Sequence, residues 1–155
     1  MKVEDLKKLV QGIVTEAHRL SATHTSEKQA PVNYACVFTH SDSEYEEMVK
    51  LAGQLGRVVQ ETRMGPVFHI SPILTVAGEL RLLKIRRPDV KRPERGDADF
   101  TVANYKTFKE TYLSRPGFGI IKRVDMEMIE LIDPSYNVIA YYSHPTLATV
   151  LNQKK

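Results

Sequence analysis

The stretch VNYACVFTHSDSEYEEMVKLAGQLG, residues 32–56, decides the fold because a strand signal in it is followed at once by a helix signal. Its first eight residues form an apolar run rich in β-branched and aromatic side chains, which is typical of a buried strand. Beyond them, Ser41 with Glu44 or Ser43 with Glu46 can form a capping box, and an apolar stripe follows at helical spacing. The stretch therefore predicts a strand and then a helix.

Three further strand-like runs follow this helix, and turn residues separate them. RVVQET (57–62), PVFHISPI (66–73) and ELRLLKIR (79–86) are rich in apolar and β-branched residues, with glycines in the gaps between them. Gly56 suits the left-handed conformation that commonly ends a helix. The first half of the chain is therefore predicted to fold as βαβββ.

The same order of elements begins again near residue 97. Here the sequence predicts a strand, a helix and three more strands, over 97–102, 104–113, 118–123, 126–133 and 137–142. When Tyr34-Ala35 is laid on Asp97-Ala98, an offset of 63 residues brings the two strand-helix units into step, although few residues are identical. Such self-similarity indicates an internal duplication.

An amphipathic helix precedes the duplicated part. Apolar residues recur at helical spacing from Val3 to Leu20, and the polar segment 21–31 ends at a proline, which favours a linker that leads into a strand. The predicted organisation is an N-terminal helix and linker at 1–30 and a duplicated βαβββ domain at 31–155. Because the apolar helix face needs a partner, we expect it to pack on that domain or on a second subunit, which leaves a homodimer open.

Composition places the chain among ordinary single-domain proteins. At 155 residues, with 42% hydrophobic and 26% charged residues, it has the length to bury a core without metal or disulfides. No apolar run approaches the roughly 20 residues of a membrane span, and the sequence shows no secretory signal and one cysteine, Cys36, so we expect a soluble cytoplasmic protein. A net charge of +3 is too weak to indicate nucleic-acid binding.

Two βαβββ units in one short chain resemble the vicinal oxygen chelate superfamily, which includes glyoxalases, ring-cleaving dioxygenases and bleomycin-binding proteins. Four segments in order, YACVFTHSDSEYEEM, LGRVVQETR, LLKIRRP and GDADFTV, are similar to its YecM-like branch, predicted metal-binding proteins of unknown substrate. The resemblance covers about residues 32–142. It implies an α+β protein whose two βαβββ units form an open curled sheet after the N-terminal helix, with ligands at strand ends that face a cavity.

The resemblance also implies that the metal site of the superfamily is degenerate in this chain. Tyr34 stands where the YecM-like pattern has a histidine, Lys84 where it has a glutamate, and Asp97 where it has another histidine. A divalent ion needs three or four deprotonated donors, and an ammonium group among them would repel it. We therefore expect no metal or other cofactor, and a ligand site at Tyr34, Lys84 and Asp97. For the charges of Lys84 and Asp97 we consider two alternatives. They form a buried ion pair in place of the metal, or they form a solvated ion pair at the cavity mouth.

Basic residues crowd the connector between the two halves. Arg86 shares a strand face with Lys84 by alternation, so both are candidates to clamp a carboxylate or phosphate. The basic residues at 87–95 are expected to be mostly solvated, because the prolines among them keep the chain extended. Weaker candidates for the cavity are His69, Asp99 and Glu130.

Three functions stay open after these observations, and whether the protein is an enzyme is one of the open points. The first is a binding protein for a small, anionic ligand. The second is a metal-dependent lyase or isomerase of the glyoxalase type that uses Asp97 with His69 or Glu130. The third is a structural or interaction protein, which would have an occluded cavity. Fold alone does not decide among them, because one scaffold supports many chemistries.

Overall fold

The framework of the protein is one eight-stranded sheet, seen in a computed structural model that describes residues 1–153. The strands are β1 (Val32–Phe38), β2 (Gly56–Thr62), β3 (Gly65–Thr75), β4 (Gly78–Arg86), β5 (Gly96–Phe100), β6 (Phe118–Lys122), β7 (Glu127–Leu131) and β8 (Val138–His144). The helices are α1 (Val3–His24), α2 (Asp42–Leu55), α3 (Tyr105–Tyr112) and α4 (Leu147–Gln153). An α+β protein with an N-terminal helix is thereby confirmed. The last two residues of the predicted domain at 31–155 lie outside the described residues.

The sheet joins two runs of strand, helix and three strands at its centre. Its strand order is β2-β3-β4-β1-β5-β8-β7-β6, with β1 parallel to β4, β5 parallel to β8, and β1 antiparallel to β5. Ala35 pairs with Ala98 across the central β1–β5 ladder, and these two residues are 63 apart in sequence. The pair Ala35–Ala98 therefore marks the centre about which the two halves are related, while the antiparallel register pairs Tyr34 with Asp99 and Cys36 with Asp97.

Helix α1 covers one face of this sheet and contacts strands from both halves. Its fully buried stripe comprises Leu6, Val10, Ile13, Val14, Ala17 and Leu20. Burying each Leu, Ile or Val of such a stripe contributes about 1.5–3 kcal/mol. The prediction that this helix packs across the duplicated part is confirmed. It extends beyond Leu20 to His24, however, because Ser21 is also buried and accepts a hydrogen bond at 2.7 Å from the Tyr142 hydroxyl.

The expectation of a left-handed cap at Gly56 was wrong. Helix α2 runs directly into strand β2, and Gly56 is extended, with φ at −178°. A Cβ atom at this position would collide with the carbonyl oxygen of His69 on the neighbouring strand. The glycine is therefore needed for the close approach of β2 and β3 rather than for a helix cap. Ser41 is the N-cap, as predicted, because its Oγ accepts from the Glu44 amide, but the capping box is incomplete, since the Glu44 carboxylate accepts from the His40 amide at 2.9 Å.

Alternation along the central strands gives the sheet two different apolar faces. Ala35 and Val37 belong to the large core under α1, whereas Cys36 and Phe38 belong to a smaller cluster with Ile139 and Tyr141. Successive side chains of a strand point to opposite faces, so the smaller cluster marks the face away from α1. Helix α4, which the sequence analysis did not predict, lies against this second face. No helix within residues 1–153 has the length and apolar character needed to cross a lipid bilayer.

Candidate functional site

A cavity of about 390 Å³ opens on the sheet face away from α1. Its walls are formed by the central strands, by the turn between β6 and β7, and by α4. The lining residues are Tyr34, Cys36, Gln60, Thr62, Val67, Lys84, Arg86, Asp97, Asp99, Arg123, Asp125, Met126, Met128, Tyr141, Leu147 and Val150. A volume of this size is in the range of pockets that hold small organic molecules.

All four predicted ligand-binding residues, Tyr34, Lys84, Arg86 and Asp97, lie in the wall of this cavity. The sheet register explains their convergence. Cys36 on β1 pairs with Lys84 on β4 and with Asp97 on β5, so these three residues form one row across the sheet. Paired residues point to the same face, and neighbouring strands are about 4.8 Å apart, so Lys84 and Asp97 stand roughly 10 Å apart at the backbone.

The Lys84 side chain is half-buried in this wall. Among residues 1–153, its ammonium forms no ion pair and no hydrogen bond. The direct Lys84–Asp97 ion pair considered from the sequence is therefore not formed. The cause is the strand spacing, because Cys36 stands between the two residues.

Asp97 is the most unusual group in the cavity wall. Only 6% of it is exposed, and its Oδ1 atom is buried with no hydrogen-bond partner in the described part of the chain. Burial, together with the nearby Asp99 as a smaller cause, raises the pKa of this carboxyl to about 8, although Lys84 and Arg86 oppose the shift. At neutral pH the carboxyl is therefore largely protonated, and it can both donate and accept a hydrogen bond.

Asp99, two residues along the same strand, is satisfied by the protein itself. Its Oδ1 atom accepts from the Ser143 amide at 3.0 Å and from the Asn33 side-chain amide at 3.3 Å. Burial raises the pKa of Asp99 to about 6, although the hydrogen bonds from Ser143 and Asn33 oppose this. Asp99 therefore remains mostly ionised at neutral pH and is fixed in place, unlike Asp97.

Arg86 is held at the cavity edge by residues of the connector that follows it. Its guanidinium donates to Asp89 at 3.0 Å and lies 5.1 Å from the centre of the Phe38 ring, while its Nε atom is buried with no hydrogen-bond partner among residues 1–153. Connector residues were expected to be mostly solvated, and for two of them this is wrong. Arg92 pairs with Glu130 at 3.5 Å, and Arg95 donates to Glu44 at 2.7 Å. The connector is thus tied to both halves of the sheet.

The weaker candidates divide between different places. Asp99 lies in the cavity wall, but His69 lines a separate cavity of about 350 Å³. Glu130 lies outside the first cavity and accepts a hydrogen bond at 2.9 Å from the Tyr141 hydroxyl. Asp97 therefore shares the cavity with neither His69 nor Glu130, the residues considered with it for a metal-dependent reaction.

The donor set in the cavity does not fit a divalent metal ion. No group of three or more His, Cys, Asp or Glu side chains within residues 1–153 is arranged to hold one. Lys84 occupies one position that the superfamily resemblance assigns to a ligand, and burial raises the pKa of the Cys36 thiol, which disfavours the thiolate.

Several lining residues were missed by the sequence analysis. Tyr141 pairs with Asp99 as Lys84 pairs with Cys36, an equivalence that depends on the sheet register, since the offset of 63 residues takes Lys84 to Leu147 rather than to Tyr141. Arg123 and Met126 lie in a turn without periodic pattern. Leu147 and Val150 come from α4, whose seven residues are too few for a clear helical period.

Comparison with known proteins gives a structural relative but no family. No protein-family model matches this sequence, and no curated protein matches it. A solved structure named "Structural Genomics, Protein EC4020" superposes with a TM-score of 0.75 at 11% sequence identity, covering 98% of this chain and 92% of that chain. At such low identity the comparison bears on architecture alone, so this chain is similar in fold to that protein over almost its whole length.

Proposed function

We propose that the protein binds a small organic anion in the cavity between the two halves of its sheet. The observation that carries this proposal is the half-buried side chain of Lys84, which lines the cavity and whose ammonium has no ion-pair partner in the described part of the chain. Contacts between an ammonium and an anion are stronger than neutral hydrogen bonds, so an anionic ligand is the natural partner. Arg86 and Arg123 in the same wall add positive charge, which the carboxyl groups of Asp99 and Asp125 balance in part.

We further propose that the fold is the vicinal oxygen chelate arrangement and that its metal site has been lost. The paired βαβββ runs, joined through β1 and β5, support the first part. The lysine and tyrosine at expected ligand positions support the second. A metal-dependent lyase or isomerase is disfavoured because His69 and Glu130 lie outside the cavity that contains Asp97. A purely structural role is disfavoured because the cavity is open rather than filled by side chains.

Anion titration followed by NMR tests the proposal. Acetate, benzoate and phosphate are added separately to the 15N-labelled protein, and the backbone amides of β1, β4 and β5 are monitored. We expect saturable shifts confined to the cavity wall for at least one of these anions. Lys84→Met should weaken that binding at least tenfold, because a charge-assisted contact contributes about 1.5–3 kcal/mol.

The matched control is Lys106→Met, which removes an exposed lysine on α3 away from the cavity. It should leave the dissociation constant within about twofold of the parent value, since an exposed charge outside the cavity contributes little. Equal affinity in the Lys84 and Lys106 variants, or shifts scattered over the surface, would contradict the proposed site.

A further inference from the structure

We propose that the ligand is a hydroxycarboxylate, whose carboxylate is bound at Lys84 and whose hydroxyl group forms a hydrogen bond with Asp97. This inference rests on the proposed anion-binding function and specifies the second end of the ligand. It is carried by a feature that anion binding alone does not explain, namely a buried carboxyl group in the cavity wall, Asp97, that no described residue satisfies by a hydrogen bond.

The first step is the lack of any protein partner for Asp97. Buried polar groups in native proteins almost always have a hydrogen-bond partner, and one left without a partner costs roughly 1–3 kcal/mol. Asp97 is 6% exposed, its Oδ1 atom has no partner in the described residues, and it lines the cavity. The group that completes its hydrogen bonding must therefore come from the cavity.

The second step is the contrast with Asp99, which excludes a general effect of the strand. Asp99 is equally buried and lines the same cavity, yet it accepts bonds from Ser143 and Asn33. The protein thus supplies donors for one carboxyl of the pair and none for the other. Asp97 is the member left available to a ligand.

The third step is the choice of a hydroxyl over an ammonium group. A ligand ammonium at Asp97 would face a carboxyl that is largely protonated at neutral pH, and the neighbouring Asp99 already accepts from Ser143 and Asn33, so the ammonium would gain no ion pair with a free carboxylate there. A hydroxyl carries no charge, and it can donate to one oxygen of Asp97 and accept from the protonated carboxyl, whose pKa is about 8. A hydroxyl that both donates to and accepts from Asp97 therefore suits this carboxyl better than an ammonium group.

The fourth step is the spacing, which sets the size of the ligand. Lys84 and Asp97 are the two strand neighbours of Cys36, so their backbones are roughly 10 Å apart and their side chains rise from the same face. Both side chains are near enough to Cys36 to affect the pKa of its thiol, which Asp97 raises and Lys84 lowers. A carboxylate and a hydroxyl on the same or on adjacent carbons can span the gap that remains.

Three matched sets of acids test the inference on the unmodified protein. They are propionate, lactate and alanine; succinate, malate and aspartate; and phenylacetate, mandelate and phenylglycine. Within each set only one substituent changes from hydrogen to hydroxyl to ammonium. By titration calorimetry or NMR, we expect the hydroxy acid to bind about tenfold more tightly than its deoxy analogue in at least one set, and the amino acid no more tightly than the deoxy acid.

Variants then locate the effect. Asp97→Leu should reduce the preference for the hydroxy acid to within about twofold while leaving the affinity for the deoxy acid nearly unchanged. Lys84→Met should weaken both acids together. Glu110→Leu, at an exposed acid on α3, should alter neither dissociation constant.

The outcomes separate this inference from the function on which it rests. If deoxy acids bind through Lys84 as tightly as the hydroxy acids, or if an amino acid binds best, the inference is wrong and anion binding stands; water would then satisfy Asp97. The same holds if acetate or phosphate binds through Lys84 but none of the three sets does. If no anion binds at all, the proposed function fails, and the inference fails with it.

Discussion

The two halves of the sheet have similar backbones but contribute opposite chemistry to the cavity between them. An offset of 63 residues places Tyr34 at the position of Asp97, and Cys36 at the position of Asp99. On the neighbouring strands, Lys84 pairs with Cys36 and Tyr141 pairs with Asp99. The first half thus supplies a phenol, a thiol and an ammonium group, and the second half supplies two carboxyl groups and a phenol. The two halves therefore place different side chains at matching positions of the central strands.

This difference matters for the ligand as well as for the protein. A cavity with a cation at one end and a neutral acid at the other discriminates between the ends of a bound molecule, whereas a symmetric pair of charges would not. Equivalent positions also provide matched controls, because a substitution in one half can be compared with a substitution in the same backbone setting of the other half. The predictions below use these pairs.

The largest expected effect is the pH dependence of stability that Asp97 imposes. Its pKa is about 8 in the folded protein and about 3.9 in an unfolded chain. Between these values the folded state holds the proton more tightly than the unfolded state, so the free energy of unfolding falls as pH rises from about 4 to about 8. The shift corresponds to a loss on the order of 5 kcal/mol, which is complete above about pH 8. Urea unfolding of the parent and of Asp97→Asn across this range should give a difference that grows with pH.

Tyr34 provides the control for this measurement because it occupies the equivalent position in the first half. Burial raises the pKa of its phenol well above the ordinary value, so it stays neutral throughout this pH range. The difference between the parent and Tyr34→Phe should therefore be independent of pH from 4 to 8. A flat difference for Asp97→Asn as well would mean that Asp97 is ionised in the folded protein at neutral pH, and the contrast between the halves would be lost.

A smaller change in the free energy of unfolding is expected when Lys84 or Tyr141 is replaced, and its sign differs between the two positions. The Tyr141 hydroxyl donates to Glu130 at 2.9 Å, so Tyr141→Phe should lower the free energy of unfolding by about 1.5 kcal/mol. Lys84 has no ion-pair partner among the described residues, so Lys84→Met should leave stability unchanged or raise it by up to about 1 kcal/mol. Both values come from urea unfolding at pH 7 without added anions. A loss above 1 kcal/mol for Lys84→Met would show that this ammonium stabilises the fold, and the argument for a ligand partner would weaken.

Features of this architecture that depend on residues close in sequence were predictable, whereas features that depend on distant segments were not. Alternation in KIR put Lys84 and Arg86 on one face, and the repeat offset related Tyr34 to Asp97; both patterns are set by the strand period. The conformation of Gly56 was missed because the requirement comes from His69, on another strand. Likewise, nothing near Asp97 in sequence shows that Ser143 would bond its neighbour Asp99 and leave Asp97 unpaired. Pairings between distant segments decide the chemistry of the site, and short-range patterns do not encode them.

Divalent metal ions are expected to leave the melting temperature unchanged, which is the smallest effect predicted. Only a ligand that prefers the folded state raises the melting temperature, and the cavity has no suitable set of three His, Cys, Asp or Glu donors within residues 1–153. The test adds zinc, manganese or nickel to the untagged protein after treatment with a chelator. The melting temperature should shift by less than about 1 °C, which corresponds to well under 1 kcal/mol for a domain of this size.

A positive control makes this negative result informative. The double substitution Tyr34→His with Lys84→Glu restores, beside Asp97, the residue types that the superfamily resemblance expects at two positions. If the three positions converge, metal at 100 times its dissociation constant should stabilise this variant by about 2.7 kcal/mol. A response of the variant alone would agree with a metal site lost by substitution in the first half. A response of the parent protein, abolished by Asp97→Asn, would instead mean that Asp97 binds metal despite the ammonium opposite it, and the difference between the two halves would then serve a metal centre rather than an organic anion.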